Sequence, residues 1–64
     1  MLTQAEMTSA RDDLRSAESL IARVRGLFLS AGYIHGARLM KAAIGLLADE
    51  IAALEKALTG GPQP

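Results

Sequence analysis

Apolar and small residues recur along the first half of the chain at intervals that alternate between three and four residues. They are Met7, Ala10, Leu14, Ala17, Ile21, Val24, Phe28 and Ala31. This spacing follows the turn of an α-helix and is typical of the contact stripe of a coiled coil. It predicts a first helix over about residues 4–31. Thr3-Gln4-Ala5-Glu6 fits a capping box at its start.

The second half of the chain repeats the pattern. Its stripe consists of Tyr33, Ala37, Met40, Ile44, Leu47, Ile51, Leu54 and Leu58, which predicts a second helix over about residues 34–59. Gly32 separates the two helices, since glycine accepts the left-handed conformation that ends a helix, and Tyr33 is then placed to fold back on Phe28. A connection this short forces the helices antiparallel. The predicted fold is an all-α, two-helix hairpin over residues 1–59, with a disordered tail over residues 60–64.

Two glycines inside the second helical pattern, Gly36 and Gly45, each cost up to about 1 kcal/mol relative to alanine. They are either tolerated or mark a close approach of the helices. Alanines lie near both in the sequence, which favours close approach.

A second set of apolar residues lies outside the two stripes: Leu20, Leu27, Leu39, Ala43 and Leu46. A chain of 64 residues without cysteine and with one histidine has a marginal core and no disulfide to support it. Self-association is the remaining way for so small a core to become stable, so these residues are candidates for a protein interface. Scattered surface leucines are the alternative interpretation. The favoured interpretation is an interface, in a homodimer that forms a four-helix bundle.

Charge is divided along the hairpin although the seven basic and seven acidic residues cancel. The loop half, residues 19–48, has no acidic residue and a formal charge of +4, from Arg23, Arg25, Arg38 and Lys41. The open half, the rest of the chain, has three basic and seven acidic residues and a charge of −4. Two copies would therefore attract head to tail. The four basic residues are also candidate contacts for an acidic partner or a phosphate group, or form a solvated surface.

Candidate chemistry is sparse. His35 has no carboxylate within one helical turn to orient it, and the adjacent carboxylates Asp12 and Asp13 point to different sides of a helix. We therefore expect no enzyme, no metal site and no cofactor. Four basic residues without an aromatic platform make nucleic-acid binding unexpected. The stretch Met1–Met7 has no features of a secretory signal, and the acidic open half disfavours a membrane surface, so a cytoplasmic protein is expected.

By its plan alone, the chain resembles small bacterial co-chaperones of secretion systems and small phage proteins that disable a host factor. The resemblance covers the architecture and no particular residue. It implies a non-catalytic, homodimeric adaptor, co-chaperone or inhibitor that acts through helix–helix contacts with another protein. The alternative is a small protein that binds nucleotides or other phosphate-bearing molecules at its basic end.

Overall fold

A computed structural model describes residues 1–60 of the chain. In this range it contains two α-helices, α1 (Gln4–Ser30) and α2 (Ile34–Gly60), and no strand. The helices pack against each other and form a hairpin of 49 × 20 × 16 Å. The predicted helical hairpin is confirmed. Helix α2 includes Gly60, the first residue of the predicted tail, and the rest of that tail lies outside the described residues.

Helix α1 begins with the predicted capping box. The Oγ1 atom of Thr3 accepts a hydrogen bond from the backbone N–H of Glu6 at 3.1 Å. The Oε1 atom of Glu6 accepts one from the N–H of Thr3 at 2.8 Å. Two backbone donors that a helix start leaves without partners are thereby satisfied.

The turn between the helices is a Schellman motif. Gly32 has a φ of 78°, in the left-handed region. Its N–H donates to the carbonyl of Leu29 at 3.1 Å, and the N–H of Tyr33 donates to the carbonyl of Phe28 at 2.8 Å. The rings of Phe28 and Tyr33 meet edge to face with centroids 5.0 Å apart. This is the apolar contact that accompanies the motif, and it closes the hairpin where the sequence predicts.

Gly36 makes this aromatic contact possible. A Cβ atom at residue 36 would lie 2.5–2.7 Å from ring carbons of Tyr33 and Phe28, closer than carbon atoms approach without strain. The predicted close approach is therefore found at Gly36, although against two rings rather than the backbone of α1. At Gly45 the prediction is wrong, because nothing lies within 4 Å of the corresponding position. The register places Gly45 on the outside of the hairpin.

Alanine substitutions at these two glycines should have opposite effects on stability. Overpacking costs about 1–3 kcal/mol, and the higher helix propensity of alanine returns at most about 1 kcal/mol. We therefore expect Gly36→Ala to lower the free energy of unfolding by about 1 kcal/mol and the control Gly45→Ala to raise it by a similar amount. Urea unfolding followed by circular dichroism measures both. Equal stabilisation by the two variants would contradict the aromatic contact at Gly36.

The core of the hairpin is thin. Its buried hydrophobic residues are Ala37, Ile51 and Leu54, with exposed fractions of 3, 8 and 7%. The stripe residues of α1 from Met7 to Phe28 are only partly buried, because one partner helix covers one side of a stripe and leaves its edges to solvent. Several large hydrophobic side chains, among them Leu20, Leu27, Leu39 and Leu46, are thus still exposed in the hairpin.

Candidate functional site

An ion pair across the two helices fixes which residues share a face. Arg15 of α1 pairs with Glu55 of α2. Arg15 directly follows the stripe residue Leu14, and Glu55 directly follows the stripe residue Leu54. Each residue advances by about 100° around a helix. In antiparallel helices, residues that follow a stripe position therefore share one face, and residues that precede one share the opposite face.

The four candidate leucines all lie on that opposite face, which we call the leucine face. Each directly precedes a stripe residue, as in Leu20-Ile21 and Leu46-Leu47. Their exposed fractions are 56% for Leu20, 69% for Leu27, 53% for Leu39 and 72% for Leu46. Ala43 precedes Ile44 in the same way and is partly buried. The structure thus brings all five predicted interface residues onto one face.

These five residues form a compact patch, which we call the leucine patch. Leu27 and Leu39 lie five residues before and seven residues after Gly32, and Leu20 and Leu46 lie twelve before and fourteen after it. At a rise of 1.5 Å per residue, the two pairs lie roughly 10 and 20 Å from the turn. Ala43 falls between them. An exposed apolar patch of this kind normally marks an interface.

The same face becomes acidic in the open half. Glu6, Asp13 and Glu50 also precede stripe residues, and all three are exposed. A head-to-tail dimer that overlapped over its full length would place the leucine patch of one copy against these carboxylates in the other. The charge difference between the two halves therefore favours two copies that run in opposite directions. The carboxylates on the leucine face limit the overlap of such copies to their loop halves.

The four candidate basic residues are divided between the faces. Arg25, Arg38 and Lys41 each follow a stripe residue and lie on the face opposite the leucine patch, where we call them the basic patch. Arg23 precedes Val24 and lies on the leucine face instead. Within residues 1–60, none of the basic patch forms an ion pair, since the two ion pairs present involve Arg11 and Arg15.

An apolar tip borders the basic patch at the turn. Leu29 and Ile34 directly follow Phe28 and Tyr33, so they lie on the face of the basic patch. The exposed fractions are 45% for Leu29, 51% for Tyr33 and 48% for Ile34. Sequence reasoning missed Leu29 and Ile34 as functional candidates. The available signal was their position, just outside both stripes in a segment without acidic residues.

The described residues hold little else that suggests a chemical site. His35 is exposed, and its ring centroid lies 6.3 Å from that of Tyr33. Residues 1–60 contain no group of three metal-ligating side chains and no cavity. Neither α1 nor α2 is long and apolar enough to cross a membrane. Comparisons with protein-family models, curated proteins and solved structures find no match to this chain.

Proposed function

We propose that this chain is a non-catalytic, homodimeric protein-binding module, an adaptor, co-chaperone or inhibitor, whose two copies pack through their leucine patches. The observation that carries the proposal is the contrast, within residues 1–60, between three buried hydrophobic residues and the four leucines of the leucine patch, each of which is more than half exposed. A hairpin of this size needs further burial to be stable. A second copy supplies it with the same patch, which is how two-fold dimers are built.

The two copies run in opposite directions and overlap over their loop halves. Leu20 then faces Leu27 of the second copy, and Leu39 faces Leu46. Ala43 and Arg23 each lie next to their own symmetry mates, so the interface includes one pair of like charges. Arg25, Arg38 and Lys41 lie on the outer faces of this dimer. The overall charges of the two halves nevertheless support this direction over one with both loops at the same end, because each basic loop end approaches the acidic open half of the other copy. The four helices form the bundle where they overlap. The open halves and the outer faces remain for a second protein.

The dimer is tested by its mass and by a single cross-link. Sedimentation equilibrium should give twice the chain mass of 6.7 kDa. The chain has no cysteine, so Ala43→Cys introduces a unique thiol, and mild oxidation should link two copies through it. The matched control Gly45→Cys, on the opposite face, should not cross-link. A folded monomer at micromolar concentration would refute the homodimer. A dimer that Ala43→Cys cannot link would refute the arrangement.

The second candidate function is the capture of a phosphate-bearing molecule such as a nucleotide. The three cations of the basic patch support it, because they gather on one face and form no ion pair with a carboxylate of residues 1–60. The lack of a cavity in residues 1–60 ranks it second, since small-molecule sites are usually concave. Calorimetry with ATP at physiological salt would raise it to first place if binding were micromolar and were lost in Arg38→Gln/Lys41→Gln.

A further inference from the structure

The turn of the hairpin combines exposed apolar side chains with cations that form no ion pair in the described part of the chain. Leu29, Tyr33 and Ile34 form its apex and are about half exposed. Arg25 lies seven residues before Gly32, Arg38 six after it and Lys41 nine after it, which places the basic patch roughly 9–14 Å from the turn. An apolar apex with cations on the adjoining face matches the interfacial region of a lipid bilayer, where acyl chains lie beneath anionic headgroups.

The direction of the side chains strengthens this match. Side chains of a helix lean toward its N-terminus, and α2 begins at the turn. Arg38 and Lys41 therefore lean toward the apex, and both are exposed. Their long apolar stems allow the charged groups to reach the headgroups beside the tip. Tyr33 adds a side chain with an apolar ring and a polar hydroxyl, a type enriched at membrane interfaces.

Within one hairpin, the acidic residues are too far from the turn to oppose such a contact. The nearest are Glu18, fourteen residues before Gly32, and Asp49, seventeen after it. They lie roughly 21 and 25 Å from the turn, whereas screening at physiological salt acts over about 8 Å. The expectation of no membrane contact assumed a hairpin lying flat, with its acidic half on the surface. A hairpin standing on its turn presents the loop half, which contains no acidic residue.

We propose that the apolar tip and the basic patch dock the hairpin, turn first, on an anionic lipid surface. A free nucleotide would use the cations but not the three apolar residues beside them. The tip is the convex end of a hairpin, so a fluid surface receives it without a complementary pocket. The contact uses the face opposite the leucine patch. In the proposed dimer, however, the open half of the second copy extends past this turn, so docking requires a single hairpin and competes with dimerisation.

The test is flotation of the full chain with phosphatidylcholine vesicles, with or without about 30 mol% phosphatidylserine, at 0.15 M salt. We expect binding to the anionic vesicles only. Arg38→Gln/Lys41→Gln should weaken it about tenfold or more, since each cation near the surface contributes separately. The matched control Arg11→Gln/Lys56→Gln makes the same change in net charge in the open half and should bind as the native chain does.

Insertion of the apolar tip into the lipid is measured separately, by fluorescence. Tyr33 is the only tyrosine and the chain has no tryptophan, so brominated lipids should quench its fluorescence on docking. Leu29→Gln/Ile34→Gln should reduce both binding and quenching, while unchanged circular dichroism verifies the fold. Absence of binding, equal binding to neutral vesicles, or an equal loss in the Arg11/Lys56 control would overturn the proposal. So would displacement by millimolar ATP, which indicates a free phosphate ligand, or tighter binding to polyglutamate, which indicates an acidic protein.

Discussion

Replacing Leu39 and Leu46 together with glutamine should dissociate the proposed dimer and unfold the chain in a single transition. Complete burial of a leucine side chain contributes about 1.5–3 kcal/mol, and these two are 53% and 72% exposed in one hairpin. The double substitution removes four leucines from a two-fold interface. A chain of 64 residues has a total stability of only about 3–10 kcal/mol. Loss of this surface should therefore leave too little to keep the hairpin folded.

Sedimentation and circular dichroism of the same samples measure both parts of this prediction. Leu29→Gln/Ile34→Gln is the matched control, because it replaces two apolar residues of comparable exposure on the opposite face. It should remain a folded dimer even though it loses vesicle binding. If Leu39→Gln/Leu46→Gln stayed folded and dimeric, the leucine patch would not be the interface. A folded monomer would show instead that the hairpin is stable alone.

The fold follows closely from the sequence because its determinants are local. The three-and-four spacing specifies two helices, and Gly32 with Phe28 and Tyr33 specifies the turn, all within a few residues of one another. Gly45 shows where this reasoning ends. The alanines near Gly45 in the sequence do not indicate whether this glycine faces α1. That depends on the rotation of α2 relative to α1.

The assignment of residues to the two candidate surfaces also depends on the rotation of α2 relative to α1. Sequence reasoning placed Arg23, Arg25, Arg38 and Lys41 in one half of the hairpin, because distance from the turn can be read along the chain. It did not separate Arg23 from the other three, since that requires the register that the Arg15–Glu55 pair reveals. Leu29 and Ile34 were not predicted as surface contacts for the same reason. Each resembles an ordinary surface residue until its face is known.

Truncation of the core residue Leu54 should also cause a large loss of stability. It is 7% exposed in one hairpin, and truncation of a buried leucine to alanine typically costs about 2–5 kcal/mol. We therefore expect Leu54→Ala to be mostly unfolded at 37 °C and to lower the urea midpoint at every protein concentration. Leu46→Ala makes the same chemical change at a leucine that is 72% exposed.

The comparison of these two variants separates the core of one hairpin from the interface between two. In an isolated hairpin, Leu46→Ala should change stability by no more than about 0.5 kcal/mol, as is usual for a surface residue. In the proposed dimer it should cost more than 1 kcal/mol. The urea midpoint of the native chain should also rise with protein concentration, because association stabilises the folded state by mass action. A midpoint independent of concentration, with a neutral Leu46→Ala and a destabilised Leu54→Ala, would assign all the stability to the single hairpin and leave the leucine patch to a different protein.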